Sequence, residues 1–158
     1  MEIELCGYKV LIDDEDYEKI IKYNWYITKP NGKTFVYFSR MVSDISKRYN
    51  ISLHRYIMGA QLYDKNIIDH INGNTLDNRK CNLRICTSFG NNCNSRKQKN
   101  NKSGYKGVSY YKRNNKYVAT IGYKNKTLFL GYYDNPLDAH AAYCEASKKY
   151  HGEYGRTE

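Results

Sequence analysis

The stretch that decides the fold is residues 65–97, which read KNIIDHINGNTLDNRKCNLRICTSFGNNCNSRK. A short apolar run ends in the pair Asp69-His70, and a polar loop rich in Asn and Gly follows it. A second strand candidate covers residues 82–86, and a Thr-Ser pair then offers a helix cap, with Asn91 in the first turn beyond it. The order strand, long loop, strand, helix predicts a hairpin crossed by a helix. We expect that arrangement to bring Asp69, His70 and Asn91 close to one point.

These three residue types make sense as one chemical site. His70 has a reference pKa near neutrality and can accept a proton from water at about pH 7. Asp69 and Asn91 carry oxygen ligands that suit Mg²⁺ or a similar hard cation such as Mn²⁺. A neutral imidazole beside a metal-bound phosphate is suited to hydrolysis of a phosphodiester. The stretch therefore predicts a metal-dependent phosphodiester hydrolase.

The spacing of these residues resembles that of a known family. Asn82 follows His70 by twelve residues and Asn91 lies nine further on, as in the HNH homing endonucleases with the ββα-metal fold. The phrases IDHINGN, LDNRKCNLR and NNCN are similar to those of the phage-type branch, in which the last motif position is Asn. The resemblance implies that His70 is the general base and that Asp69 and Asn91 hold the metal. It also implies that Asn82 fixes the loop and orients the site.

Charge along the chain indicates the partner. The formal net charge is +10, and the isoelectric point is about 9.3. No Asp or Glu occurs from residue 78 to residue 133, where there are 13 Lys and Arg, whereas residues 1–50 balance eight acids against eight bases. Segregated positive charge is typical of a nucleic-acid surface. We expect double-stranded DNA as the partner.

Cysteine content and hydropathy indicate the compartment. The five cysteines form no CxxC pair, and Glu2 and Glu4 interrupt any signal peptide. No apolar run approaches the ~20 residues of a membrane span, so no membrane contact is expected. We expect a reduced, cytoplasmic chain in a bacterial or phage-infected cell, acting as a monomer. Three cysteines lie near the predicted site, but their spacing lacks paired zinc knuckles, so we expect buried or idle thiols and no zinc.

The first 50 residues predict a small supporting unit of helix and hairpin. A strand is expected at residues 9–12, and a helix with acids in its first turn at residues 16–23. Trp25 is expected to anchor the core. An Asn-Gly turn at residues 29–33 should lead into a strand at residues 34–38.

Four residues near the predicted site leave alternatives open. His54 is either a hydrogen-bonded structural residue, which we favour, or a ligand. Arg55 clamps a phosphate or forms a surface salt bridge. Asp77 stabilises the loop through an Asx turn, which we favour, or binds the metal. Arg84 faces the scissile phosphate or solvent.

The last 55 residues predict a second unit. Strands are expected at residues 107–111, 116–121 and 126–131, followed by a helix that Asn135-Pro136 begins and Gly152 ends. This unit resembles the AP2 DNA-binding domain in the phrases GVSYY, KYVATI, LFLGYY and DNPLDAHAAYCEASKKYHGEY. The resemblance implies that one sheet face enters the major groove. The residues that would face the groove or flank it are Ser109, Tyr111, Arg113, Lys116, Thr120, Gly122, Lys124, Thr127 and Phe129.

We thus predict an α+β chain in four parts. These are a supporting unit at 1–50, the nuclease module at 51–97, a basic linker at 98–103 and an AP2-like three-stranded antiparallel sheet on one helix at 104–158. Arg96, Lys97 and Lys102 should contact phosphates without reading sequence. The predicted function is a site-preferring DNA endonuclease that nicks one strand per monomer. The alternative is a DNA-binding regulator with an inactive nuclease module.

Overall fold

A computed structural model describes residues 1–29, 36–43, 47–61 and 65–157. The chain divides into two compact units, Met1–Thr87 and Ser88–Glu158. Both contain helices and strands, in agreement with the predicted α+β class. Within the described residues, no helix is both long enough and apolar enough to cross a membrane.

The first unit is built from short strands. Its described elements are β1 (Glu2–Leu5), β2 (Tyr8–Leu11), α1 (Tyr17–Ile20), β3 (Tyr26–Thr28), β4 (Tyr37–Ser43), β5 (Arg48–Ser52), α2 (Leu53–Ile57), β6 (Ile67–His70) and β7 (Leu83–Cys86). β1 pairs with β2, β4 lies between β3 and β5, and β6 pairs with β7, all antiparallel. Single 3-10 turns precede α1 and β7. The strand β1 was not predicted, whereas the two strands of the central stretch were.

One core holds the first unit together. Its buried apolar residues are Ile3, Val10, Ile12, Ile20, Trp25, Phe38 and Leu53. The expectation that Trp25 anchors the core is confirmed, since its side chain is 8% exposed. The helix α1 ends earlier than predicted, because the indole Nε1 of Trp25 donates to the carbonyl of Ile20 at 2.9 Å. Most of the predicted turn at 29–33, and the start of the strand predicted at 34–38, lie outside the described residues.

The second unit contains one three-stranded sheet. Its elements are α3 (Ser88–Cys93), β8 (Val108–Tyr111), β9 (Lys116–Tyr123), β10 (Lys126–Tyr133) and α4 (Pro136–His151). The strands are antiparallel in the order β10-β9-β8. Ala119 and Ile121 of β9 are buried against residues of α4 such as Ala139 and Tyr143. The three predicted strands and their following helix are confirmed.

The ends of the two helices in this unit have identifiable causes. The Asn135 side chain accepts from the backbone N–H of Asp138 at 2.9 Å and begins α4, and Gly152 ends it with a φ of +56°. The helix α3 stops at Cys93 rather than near the predicted residue 97. The ammonium group of Lys106 donates to the carbonyls of Cys93 and Ser95, at 2.8 and 2.6 Å, and so satisfies groups that a longer helix would use itself.

Candidate functional site

The hairpin of β6 and β7 carries the two central residues of the predicted site. Asp69 and His70 are the last two residues of β6, where they pair with Arg84 and Leu83 of β7. Both are largely withdrawn from solvent, with 9% and 4% of their surfaces exposed. A buried carboxylate and a buried imidazole need polar partners, because an unpaired buried polar group is costly. The partners of each residue therefore indicate what the site is built to do.

The loop between the two strands is tied at both ends by Asn82. Its Oδ1 accepts from the backbone N–H of Asn72 at 2.9 Å, and its Nδ2 donates to the carbonyl of Asp77 at 2.7 Å. The carbonyl of Asn82 accepts from the N–H of Ile71 at 2.9 Å. A single buried amide side chain thus spans the loop and sets the chain direction immediately after His70.

The orientation of the His70 ring follows from its contact with Asn78. The Nδ2 of Asn78 donates to the carbonyl of Thr75 at 3.2 Å, which turns its Oδ1 toward His70 Nε2, also 3.2 Å away. An amide oxygen can only accept, so Nε2 carries the hydrogen in the neutral ring and Nδ1 carries the lone pair. Asn78 is 1% exposed and its N–H donates to the carbonyl of Leu11 at 2.8 Å. The His70 ring is therefore oriented by a residue fixed to the β1–β2 hairpin.

Burial lowers the pKa of His70 below its ordinary value of 6.5. The hydrogen bond with Asn78 and the charges of Asp69 and Asp77 act in the opposite direction, but burial has the largest effect. The lowered pKa keeps His70 neutral at pH 7. A neutral ring is the form that can accept a proton from water.

Two more rings surround His70, one from His54, whose role the sequence left open, and one from Tyr37, which the sequence did not single out. The His54 ring lies edge to face against that of His70, with centroids 5.1 Å apart, and the Tyr37 ring lies 6.4 Å away. Nε2 of His54 lies 3.2 Å from the hydroxyl of Ser52. Burial, then the nearby His70 and Arg55, lower the pKa of His54 to about 3. His54 is thus a neutral, hydrogen-bonded residue that packs against His70, in agreement with the structural role that we favoured for it.

Asp69 forms an ion pair within the hairpin. The Arg84 Nη2 lies 3.1 Å from Asp69 Oδ2 and the Nε lies 3.3 Å from it, with the two side chains 13% and 10% exposed. Arg84 therefore faces Asp69 rather than open solvent. Burial, and then the negative charge of Asp69, raise the pKa of Tyr37.

The donor chemistry at Asp69 fits a hard cation. Carboxylate oxygen is a preferred ligand of Mg²⁺, and a cation that binds Asp69 would compete with the Arg84 guanidinium for Oδ2. Among the described residues, no group of three or more His, Cys, Asp and Glu side chains lies close enough to hold a metal. A bound ion would therefore have to be shared with amide oxygens, water or phosphate.

Asp77 stabilises the loop. Its two oxygens accept from Nε and Nη2 of Arg79, each at 2.8 Å, and Oδ2 also accepts from Nδ2 of Asn72 at 3.0 Å. Hydrogen bonds from Arg79 lower the pKa of Asp77 below its usual value. With both oxygens engaged in the loop, Asp77 acts as the structural residue that we favoured over a metal ligand.

The remaining predicted residues of the nuclease module lie in different settings. Asn91 lies in α3, within the second unit, and its part in metal binding stays a prediction. The guanidinium of Arg55 donates to the carbonyls of Asn66 and Gln61, at 2.7 and 3.3 Å. Arg55 therefore braces the chain ahead of β6, which neither of its two expected roles included.

The residues predicted to face a DNA groove share one face of the sheet in the second unit. The core face of β9 carries Ala119 and Ile121, so alternate positions and their paired neighbours form the outer face. That face carries Ser109, Tyr111, Lys116, Val118, Thr120, Gly122, Thr127, Phe129 and Tyr132. Tyr132 was missed, because a bulge in β10 between Phe129 and Gly131 shifts the alternation by one residue.

The basic residues predicted to contact DNA flank this face. Arg113 lies in the 3-10 turn between β8 and β9, and Lys124 lies in the β9–β10 turn with a φ of +48°. Lys116 pairs with Asp134 at 2.9 Å. A groove of about 910 Å³ adjoins the outer face, and Arg96, Lys97 and Lys102 are among the residues that line it.

A protein-family model described as HNH endonuclease matches residues 54–92. The match begins at His54 and includes the β6–β7 hairpin with Asp69, His70 and Asn82. No curated protein and no solved structure matches the chain. The family match supports a nuclease and implies DNA as its substrate.

Proposed function

We propose that the chain is a homing-type, site-preferring HNH endonuclease that hydrolyses one strand of DNA per monomer. The observation that carries the proposal is the neutral His70, buried at the end of β6 and oriented by Asn78, inside the segment that matches the HNH endonuclease model. The division of labour is physically sensible, because a small hairpin site contacts few nucleotides. Recognition would then come from the second unit, whose outer face is surrounded by basic residues.

In the proposed reaction, His70 accepts a proton at Nδ1 from the water that attacks the scissile phosphorus. The new phosphorus–oxygen bond forms as the bond to the 3′ oxygen breaks, and the departing 3′ oxygen takes a proton from solvent water, which leaves a 3′-hydroxyl and a 5′-phosphate. Asn78 holds Nε2 and keeps Nδ1 as the accepting atom. Mg²⁺ or Mn²⁺, held by Asp69 and Asn91, would offset the charge that develops on the phosphate. Asn82 keeps the loop closed around the base.

The compartment and assembly state belong to the same proposal. All five cysteines are free thiols, which suits the reducing interior of a bacterial or phage-infected cell. We propose that the protein acts there as a monomer. One site per chain hydrolyses one phosphodiester, so a double-strand break would require two binding events.

The experiment is a nicking assay on supercoiled plasmid DNA with Mg²⁺, and with EDTA as the metal-free control. We expect the native chain to produce open circles only with Mg²⁺. His70→Ala should lower the rate by at least about 100-fold, the contribution of a positioned general base, while DNA binding is retained. His140→Ala is the matched control, since it removes a histidine from α4. Normal nicking by His70→Ala would show that another residue is the base.

One observation favours the second candidate, a DNA-binding regulator whose nuclease module is inactive. The Arg84 guanidinium already supplies a positive charge to Asp69. If that ion pair is permanent, Asp69 cannot take a metal. The same assay separates the two candidates, because the regulator would bind DNA and leave the plasmid supercoiled with either Mg²⁺ or Mn²⁺.

A further inference from the structure

Three aromatic side chains form a continuous stripe across the outer face of the sheet in the second unit. The ring centroids of Phe129 and Tyr132 lie 5.0 Å apart, and those of Tyr132 and Tyr111 lie 5.8 Å apart. Phe129 is 58% exposed, Tyr132 47% and Tyr111 39%. We call these three residues the aromatic stripe. Large rings exposed side by side are costly in water and mark a surface that binds something.

The stripe depends on the irregularity of β10. Phe129 and Tyr132 are three positions apart, which would place them on opposite faces of a regular strand. The register shift between Phe129 and Gly131 adds one residue, so Phe129 pairs with Thr120 and Tyr132 pairs with Val118, both on the outer face. A bulge that aligns two exposed rings is a typical way of directing side chains at a binding site.

The ring geometry suits a flat partner. The planes of Phe129 and Tyr132 are inclined by 60°, and those of Tyr132 and Tyr111 by 42°. Rings tilted in this way do not cover one another, so each keeps an exposed side. A nucleobase has a flat aromatic face that stacks on such a ring, whatever its identity. In a duplex those faces are covered by neighbouring base pairs and only the edges reach the grooves.

The charge around the stripe favours a polyanion over a protein partner. The groove of about 910 Å³ that meets the outer face at Thr120 and Thr127 is lined by six basic residues and by no Asp or Glu. Those basic residues are Arg96, Lys97, Lys102, Lys106, Lys112 and Lys126. The ammonium of Lys106 donates to backbone carbonyls, and the other five are side chains of the kind that contact phosphates. A basic groove beside stacking rings is the arrangement that binds single strands.

We propose that the outer face of the second unit binds an unpaired DNA strand, with bases stacked on Phe129, Tyr132 and Tyr111 and the phosphates following the basic groove. This goes beyond the cleavage of duplex DNA. It rests on the proposed function only in taking DNA as the nucleic acid. Binding to the stripe requires neither a metal nor His70, so it can be tested when no cleavage occurs.

The test is a fluorescence-anisotropy titration of the full chain in EDTA with three labelled DNA probes of equal length. One is a single strand, one is the same strand with abasic spacers in place of the bases, and one is a duplex. We expect the single strand to bind about tenfold more tightly than the abasic strand, because only the bases can stack. Equal affinity for these two probes would overturn the proposal.

Variants then locate the binding. Phe129→Ala and Tyr132→Ala should each weaken single-strand binding by about tenfold and leave the salt dependence unchanged, because they remove a stacking contact and no phosphate contact. Leu137→Ala, which removes an equally exposed apolar side chain from α4, should bind like the native chain. Loss of duplex and single-strand affinity by the same factor in Phe129→Ala would contradict the proposal.

A variant with a fluorescent side chain in the aromatic stripe provides a second test of where the bases bind. The only native tryptophan, Trp25, is buried in the other unit, so Phe129→Trp adds an indole to the stripe. Stacked bases quench such an indole, and we expect its emission to fall on adding the single strand but not the abasic strand. Unchanged emission at saturating single strand would show that the bases lie elsewhere.

Discussion

The rings of His54 and His70 meet edge to face with centroids 5.1 Å apart, although the two residues belong to different elements, α2 and β6. In this position both rings favour the neutral form, because the pKa of each is lowered. Burial has the largest effect on each pKa, and the charge of His70 further disfavours the protonated form of His54. The pair therefore links the acid stability of the first unit to the protonation state of the site.

The first prediction concerns stability against pH. In the unfolded chain His54 gains a proton near pH 6.5, whereas the folded state resists protonation until about pH 3. Stability should therefore be complete above pH 6.5 and fall as the pH drops toward 3, by about 1.4 kcal/mol per pH unit for this histidine. Urea midpoints between pH 4 and pH 8 measure this slope. In His54→Gln the free energy of unfolding should depend on pH more weakly, by the uptake of one proton. Parallel curves for the variant and the native chain would contradict the lowered pKa of His54.

The second prediction concerns the pH dependence of nicking. The base must be neutral, and the pKa of His70 is lowered from 6.5 by burial. The pH at which the rate falls to half its maximum should therefore lie below 6.5. Initial nicking rates at fixed Mg²⁺ give the profile. If the rate already falls to half its maximum above pH 7, the group whose protonation lowers the rate is not His70.

The third prediction concerns Asn78, which orients the His70 ring that we propose as the base. Asn78→Ala should lower the nicking rate by about 10- to 100-fold, the usual loss when the orienting partner of a functional histidine is removed. Asn78→Asp should instead raise the pKa of His70, because a carboxylate then faces Nε2. The nicking rate of this variant should therefore begin to fall at a higher pH than that of the native chain. Asn74→Ala is the control, since the Asn74 side chain contacts only the N–H of Leu76 among the hydrogen bonds seen.

A purely structural role for Asn78 would lower stability without moving the pH profile. The rate and the unfolding midpoint of each variant should therefore be measured together. An Asn78→Asp variant with the native profile would remove Asn78 from the site.

The fourth prediction concerns the ion pair of Arg84 and Asp69. The Arg84→Ala variant removes the ion pair of a nearly buried carboxylate, which should cost about 3–5 kcal/mol in EDTA. If Asp69 binds Mg²⁺, adding the metal should restore more stability to this variant than to the native chain. Arg79→Ala is the matched control, because it breaks the other Arg–Asp pair of the hairpin loop. Thermal unfolding with Mg²⁺ and with EDTA provides the comparison, and equal metal responses in both variants would count against Asp69 as a ligand.

The fifth prediction tests the packing of α4 against the three-stranded sheet of the second unit. Gly107 has a φ of +76°, and a Cβ placed on it would lie 2.0 Å from the Tyr143 ring of α4. Gly107→Ala should therefore lower the free energy of unfolding by about 2–4 kcal/mol. Gly122→Ala on the outer face meets nothing within 4 Å and should change it by less than about 0.5 kcal/mol. Urea titrations followed by circular dichroism measure both, and equal effects would be inconsistent with this packing.

The sequence by itself determined the order of elements in residues 65–97 and 104–158, and several of their ends. The pair Asp69-His70 closes a strand as the apolar run predicted, and Asn135 and Gly152 bound α4 as their residue types predicted. These features depend on alternation, capping and backbone freedom, which act over a few neighbouring residues. Local rules are sufficient for them.

Tertiary structure alone decided the surroundings of these elements. Trp25 ends α1, Lys106 ends α3, Asn78 orients His70, and the bulge in β10 brings Tyr132 beside Phe129. Each depends on a hydrogen bond or a strand register whose partner is set by the folded chain and not by the spacing of residue types. The sequence therefore singled out His70, whereas only the fold revealed which contacts keep its ring neutral and in place.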